Sequence, residues 1–171
     1  MATIRRCSVR EIITALRARL VLKTGIPEER VIFVAESPER IAHQQAEQEI
    51  LVQVAGEQPE PAIEGGGRYV NLRSRSFYVH VRTRMWLDET NQDYIQLTDA
   101  SIGHVVMEDD VVDALQEHLL MDANGDALCL PIACGSFSEP RRESKDPGWI
   151  SSHCTITVQY TRDLDLNEYN A

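Results

Sequence analysis

The sequence lacks any apolar run that approaches the roughly 18 residues needed to cross a membrane as a helix, so no membrane contact is expected. No long apolar stretch follows the weakly basic start, Met1 to Cys7, which argues against a secretory signal. An excess of basic residues is also missing, since the formal net charge is −10. This balance argues against sequence-independent binding to DNA or to an anionic membrane.

The usual spacings of a metal site or a disulfide framework are missing too. The four cysteines, Cys7, Cys129, Cys134 and Cys154, form no Cys-x-x-Cys pair, and the five histidines form no His-x-x-x-His pair. Cys154 lies in an alternating strand pattern, so we expect a buried free thiol and a reducing compartment. His153 is its neighbour in that strand and points to the opposite face, which makes a shared metal awkward. No metal and no cofactor are expected.

Signatures of phosphate binding, calcium binding and nucleophilic catalysis are incomplete. The glycine triplet at 65–67 is not followed by Gly-Lys-Ser/Thr or by a helix start, which favours a flexible loop. The segment Asp122 to Asp126 has its glycine too early for a calcium loop and no glutamate at the last ligand position, which leaves a turn. Ser136 lacks the surroundings of a nucleophile elbow. The sequence leaves a Cys/His pair open, because such partners meet in space, but it provides no residues on which to base an enzyme.

The first predicted element is a helix that begins after Ser8. Ser8 and Glu11 have the spacing of a capping box, in which each side chain satisfies a free amide at the helix start. Apolar residues then repeat at helical spacing as far as Leu20. Gly25 and Pro27 end the helix.

Strand patterns dominate the rest of the chain. We predict strands at 31–34, 49–55, 69–87, 127–132 and 149–160. Between them, residues 56–68 form a mobile loop, residues 135–148 are irregular, and the tail from about 161 to 171 is flexible. A chain of 171 residues is one domain at this composition. The prediction is therefore a single α+β domain over residues 1–171, with a mostly antiparallel sheet of about four to five strands and two main helices packed on one face.

A second helix is predicted from Thr98 or Asp99 to Leu120. Its apolar stripe consists of Ile102, Val105, Val106, Val112, Leu115 and Leu119. Its outer face, called here the acidic helix face, collects Glu108, Asp109, Asp110, Asp113 and Glu117. Like charges four residues apart on a helix cost a few tenths of a kcal/mol per pair, so a cationic neighbour is one interpretation and a solvated surface is the other.

The longest strand has two unlike faces. One consists of Phe77, Val79, Val81, Met85 and Leu87, interrupted only by Thr83, and is expected to lie in the core. The other, called here the basic-aromatic face, consists of Tyr78, His80, Arg82, Arg84 and Trp86. Such side chains are unusual for a face that meets only water.

This order of elements resembles the tail-terminator and tail-completion proteins of long-tailed bacteriophages and their relatives at the head–tail neck. The likeness is carried by the helix 9–22, the strand 77–87, the helix 111–119, and a C-terminal stretch in which Ser138-Glu139-Pro140 and Asp146 lead to Trp149 and the strand 150–160. It covers roughly Ser8 to Tyr160. The segments 35–68 and 135–148 are longer than in the shorter family members.

The resemblance implies a structural protein of the virion tail or neck that is made in the host cytoplasm and is not an enzyme. Such proteins form a homo-oligomeric ring, expected to be a hexamer, which caps the tail tube, ends its polymerisation and joins it to the head connector. DNA passes through such a ring without specific binding. The basic-aromatic face and the acidic helix face are then the expected subunit interface. The loop with Gly65, Gly66, Gly67 and Arg68 is expected to contact a partner ring.

Three alternatives stay open at this stage. The first is another neck component, such as a head-completion or connector protein. The second is a small cytoplasmic binding or inhibitor module, which an acidic surface would suit. The third is a small enzyme or ligand-binding protein with a pocket beneath the sheet, for which a cluster of titrating residues in a cleft would be the sign.

Overall fold

The computed structural model describes residues 4–36, 47–59, 72–84, 103–145 and 148–161. These residues form helices α1 (Val9–Thr24) and α2 (His104–Leu115), and strands β1 (Val31–Val34), β2 (Gln48–Pro59), β3 (Leu72–Arg84), β4 (Ala133–Cys134), β5 (Arg141–Arg142) and β6 (Trp149–Thr161). A single 3₁₀ turn, Glu28–Arg30, precedes β1. The fold is α+β, as predicted. Within the described residues, no helix has the length and apolarity that crossing a membrane requires.

Helix α1 has the predicted ends. The Ser8 hydroxyl accepts a hydrogen bond from the Glu11 amide at 3.3 Å, and the Glu11 carboxylate accepts one from the Ser8 amide at 2.8 Å. Those contacts, together with the nearby Arg5 guanidinium, lower the pKa of Glu11 to about 2. Gly25 ends the helix in the left-handed region, at φ 69°, where a residue with a Cβ would be strained. Ile12, Leu16 and Leu20 are fully buried, as their spacing predicts.

The sheet of the described part has six strands in the order β1-β2-β3-β6-β4, with β5 also pairing with β6. Only β1 and β2 are parallel, and the other pairs are antiparallel. Strands β3 and β6 pair along their whole length, from Leu72 opposite Thr161 to Arg84 opposite Trp149. This central pair fixes which side chains share a face.

Several predicted boundaries are wrong. Strand β2 continues to Pro59 through an irregularity between Val54 and Glu57, so residues 56–59 are not part of a loop. The predicted strand 127–132 is not formed, and the two extra strands, β4 and β5, are short pairings with β6 in and beside the stretch expected to be irregular. Residues 60–68, including Gly65, Gly66, Gly67 and Arg68, lie outside the described residues. So do Trp86 and residues 162–171.

Helix α2 differs most from its prediction. It begins at His104 after Gly103 and ends at Leu115, five residues before the predicted end. Glu117 has φ 60°, and its amide donates to the Ile132 carbonyl at 2.9 Å, so the chain turns away to pair with a distant segment. The buried side is formed by His104, Met107, Val111, Ala114 and Leu115, whereas Val105 of the predicted stripe is exposed.

Both helices pack on the same side of the sheet. Their buried side chains meet those of Phe77, Val79 and Val81 from β3, and of the inward residues of β6. Cys154, Ile156, Val158 and Tyr160 face this core, as predicted, and the cysteines are free. The opposite face of the sheet, called here the far face, therefore carries the alternate residues of the same strands.

Candidate interaction surface on the far face

The far face is centred on β3 and β6. Cross-strand pairing places Tyr78 beside Thr155, His80 beside His153, Arg82 beside Ser151, and Arg84 beside Trp149. Tyr78, Arg84, Thr155 and His153 are exposed. The structure thus brings together the described part of the basic-aromatic face and adds the outward residues of β6.

Arg82 is a correction to the predicted surface, because its side chain is only 1% exposed. Its guanidinium donates to both oxygens of the Glu143 carboxylate, at 2.8 and 3.2 Å, and one terminal nitrogen lies 3.4 Å from Glu49. The guanidinium carbon also lies 6.0 Å from the centre of the Trp149 ring. The positive charge of Arg82 is compensated inside the subunit, so it is not an open contact residue.

His80 is half-buried beside this network. Its ring stacks on that of His153, with centroids 5.2 Å apart and an interplanar angle of 29°. Burial lowers the pKa of His80 to about 4, and repulsion by His153 and Arg82 acts in the same direction. His153 is held from its other side by Ser138, whose hydroxyl accepts from the His153 amide at 3.1 Å and lies 3.2 Å from its Nδ1. At neutral pH, His80 is therefore uncharged.

A cleft of about 460 Å³ lies at the edge of the far face, between β6 and the segment around β5. Its walls include His80, His153, Arg141 and Arg142. Both arginines are exposed, and Arg141 pairs with Ser151 in the same cross-strand row as Arg82. Sequence reasoning missed these two cations because they follow an irregular stretch, where no periodicity assigns a face. Their only signal is the Arg-Arg dipeptide.

The acidic helix face is smaller than predicted. Asp109 and Asp113 are exposed on α2, and Asp110 is half-buried with its pKa raised by burial and by its two acidic neighbours. Glu117 is exposed but lies beyond the end of the helix. Glu108 turns inward and accepts a hydrogen bond from the Ser152 hydroxyl. The prediction that Glu108 lies on the outer face of the helix is therefore wrong. The exposed acids that remain are on the helix layer, on the other side of the sheet from the far face.

The inward turn of Glu108 completes a buried polar network that the sequence did not indicate. His104 is fully buried, with its Nδ1 2.8 Å from the Thr83 hydroxyl and its Nε2 2.9 Å from the Ser152 hydroxyl. Glu108 lies 3.4 Å from the same Nε2. In a catalytic triad the carboxylate holds the histidine through the nitrogen opposite the serine, whereas here serine and glutamate share one nitrogen. Ser152 is also 3% exposed, so the network ties α2 to β3 and β6 and offers no open nucleophile.

No cluster of three or more His, Cys, Asp or Glu side chains suited to a metal occurs within the described ranges. A comparison of the chain with known protein families gave no match. A comparison with curated proteins gave no match either. The arrangement of charges on the two sides of the sheet is therefore the observation on which a function can be based.

Proposed function

We propose that this protein is a structural assembly protein whose subunits join head to tail into a ring. The observation that carries the proposal is a pair of oppositely charged patches, one at the far face and its edge and the other on α2. Exposed Arg84 and Arg141 lie in far-face rows, exposed Arg142 lines the cleft at the edge beside them, and exposed Asp109 and Asp113 lie on α2 on the other side of the sheet.

Two different, complementary patches on one subunit are what a heterologous contact requires. A contact between identical patches would instead place arginine against arginine or aspartate against aspartate, which is unfavourable. Arginine and tyrosine are enriched at interface cores, and Tyr78 stands exposed at the centre of the far face. The surface ion pair between Arg141 and Glu139, at 3.7 Å, joins two side chains that are each 80% exposed, and it is weak enough for a partner to replace it.

Within this class, we infer a tail terminator of a tailed bacteriophage, on the basis of the resemblance in element order. Its ring, a hexamer, would cap the tail tube, end tube polymerisation and join the tail to the head connector within the virion. A net charge of −10 suits a channel through which DNA slides without binding, since like charges repel phosphates. The segment from Gly65 to Arg68, which lies outside the described residues, keeps its proposed role as a contact to a neighbouring ring.

The first test is the mass of the purified protein in solution, with negative-stain images of the assemblies. Rings of six, or monomers that close into rings on tail tubes, would support the terminator. Rings of twelve would transfer the assignment to a head-connector protein. A monomer that never associates, with itself or with tubes, would overturn an assembly role.

The second test reverses charge on each patch separately. The variant Arg141→Glu/Arg142→Glu and the variant Asp109→Arg/Asp113→Arg should each stay monomeric, because each places like charges across the contact. An equal mixture of the two should form alternating rings, since every contact in such a ring again joins opposite charges. The control Arg6→Glu/Lys23→Glu makes the same change in net charge as the Arg141→Glu/Arg142→Glu variant, at exposed residues outside both patches, and should assemble normally. Assembly of either patch variant alone, or no rescue on mixing, would contradict the proposed contact.

A further inference from the structure

The cleft between β6 and the segment around β5 is lined by polar side chains. Its volume of about 460 Å³ falls in the range of small-molecule sites, but such sites are mostly apolar with only a few polar groups. The described residues that line this cleft are four serines, two arginines, two histidines and two glutamates. This composition favours a charged or strongly polar ligand over an apolar one.

Most of the hydrogen-bonding groups in the cleft are donors. Arg141 and Arg142 are exposed, and a guanidinium group donates hydrogen bonds but accepts none. Ser151, which pairs with Arg141 across the strands, lines the same cleft, as do Ser138 and Ser144. Each serine hydroxyl adds a donor that can rotate toward a ligand. Such a set of donors fits a ligand that consists mainly of acceptor oxygens.

The two carboxylates of the cleft, Glu143 and Glu139, would repel an anion if they were not compensated. Both oxygens of Glu143 already accept hydrogen bonds from Arg82, at 2.8 and 3.2 Å. Glu139 is 80% exposed and lies 3.7 Å from Arg141, so this weak pair can open and let Glu139 turn into the solvent. Glu49, the other acid beside Arg82, is 1% exposed and does not line the cleft. One loosely held carboxylate therefore opposes two exposed guanidinium groups.

His80, on the wall of the cleft, lies in a positive electrostatic environment. Burial is the main cause that lowers its pKa to about 4, and the neighbouring charges that act in the same direction are those of His153 and Arg82. The buried Nε2 atom of His80 has no hydrogen-bond partner among the described residues. An anion in the cleft would offset this positive environment.

We propose that the cleft binds the phosphate group of a small phosphate monoester. Such a group carries a charge of about −1.5 to −2 at neutral pH and three strong acceptor oxygens. These oxygens point in different directions, as the donors of the cleft do, and two guanidinium groups suit them in charge and geometry. A carboxylate has only two oxygens, in one plane. The net charge of −10 disfavours nucleic acid as the source of the phosphate.

This inference goes beyond the ring, because one subunit contains the described lining of the cleft. Arg141 and Arg142 also belong to the proposed subunit contact, so a neighbouring subunit would cover them. The test therefore uses the full-length variant Asp109→Arg/Asp113→Arg, which keeps the cleft and cannot form that contact. Failure to bind phosphate then concerns the cleft alone, whereas failure of the ring proposal appears in the mass of the assemblies.

The test is an NMR titration of this variant with methyl phosphate, the simplest monoester, at constant ionic strength. Backbone amides around the cleft should shift and saturate, whereas sodium chloride should not reproduce the shifts. Adding Arg141→Gln/Arg142→Gln should weaken binding by at least about tenfold, because hydrogen bonds to charged groups are lost. Adding Arg6→Gln/Lys23→Gln instead makes the same charge change at exposed residues outside the cleft and should leave binding nearly unchanged.

Two further measurements locate the phosphate in the cleft. Glu139→Gln should strengthen binding several-fold, since it removes the one loosely held carboxylate while keeping the size of the side chain. Bound methyl phosphate should also raise the pKa of His80 above its value of about 4, because a nearby anion stabilises the charged imidazolium. The His80 ring signals measure this change directly.

Shifts that do not saturate, or that chloride reproduces, would overturn the proposal. Equal binding by the Arg141→Gln/Arg142→Gln variant would do so too, as would weaker binding by Glu139→Gln. Tighter binding of a short DNA duplex than of methyl phosphate would assign the two arginines to nucleic acid and overturn the monoester. Unchanged amide signals away from the cleft show that each variant is folded.

Discussion

His80 and His153 face each other directly across β3 and β6, with their rings stacked at 5.2 Å. Burial of His80, together with the charges of His153 and Arg82, lowers the pKa of His80 to about 4 from the ordinary value of 6.5. Between these two pH values the unfolded chain binds a proton at this residue and the folded chain does not. The free energy of unfolding should therefore rise with pH across this window.

We predict that acidification from pH 6.5 to pH 4 destabilises the protein, with His80 contributing on the order of 2 kcal/mol after allowance for its partial exposure. Urea unfolding at pH 7, 5.5 and 4 measures the effect. Carboxylates titrate in the same range, so the informative quantity is the difference between the native chain and His80→Gln. If the free energy of unfolding of His80→Gln varied with pH as steeply as that of the native chain, His80 would titrate normally in the folded protein.

The ion pair of Arg82 yields a second prediction. Arg82→Met leaves Glu49, which is 1% exposed, as a buried carboxylate beside an apolar side chain. Breaking a buried pair in this way costs about 3–5 kcal/mol, most of it from the stranded charge. The double variant Arg82→Met/Glu49→Gln should recover only part of the loss, because Glu143, whose side chain is 10% exposed, also loses its partner. Arg84→Met, two residues along at an exposed position, is the control and should cost far less. Equal losses for the two single variants in urea unfolding would contradict the role of Arg82.

Local rules predicted the parts of the fold whose determinants are adjacent in sequence. The cap at Ser8, the end at Gly25 and the inward residues of β6 all follow from neighbouring positions, and all three are confirmed. The alternation of β3 also correctly placed Arg82 and Arg84 on the same face. It gave no sign that Arg82 would be buried, because its partner Glu143 is 61 residues away.

The buried side of helix α2 also depends on residues that are distant in the sequence. Valines at positions 105, 106, 111 and 112 fit two different helical stripes, and the sequence alone does not choose between them. The fold selects the stripe that contains His104, since Thr83 and Ser152 supply hydrogen-bond partners for a buried imidazole. Those partners come from two distant strands. The same selection turns Glu108 inward and removes it from the predicted surface.

The cysteines provide the last prediction. Burial raises the pKa of Cys134 to about 11, and burial together with the neighbouring charges of Cys134 and Glu108 raises that of Cys154 to about 12. Cys134 is half-buried at the sheet edge, whereas Cys7, Cys129 and Cys154 are buried. At pH 8, native thiols should therefore react with a disulfide reagent far more slowly than in urea, because the thiolate is the reactive form.

Cys134 should react first, since it combines the greater exposure with a lower pKa than Cys154. Mass spectrometry of the labelled peptides at short times identifies the site, and Cys134→Ser should remove the first phase without changing the later ones. Earlier labelling of Cys154 would contradict the burial of its strand, because that thiol faces the core between β6 and the helices. Cys154 becomes exposed only when this core opens, so its labelling rate should rise with denaturant in parallel with global unfolding.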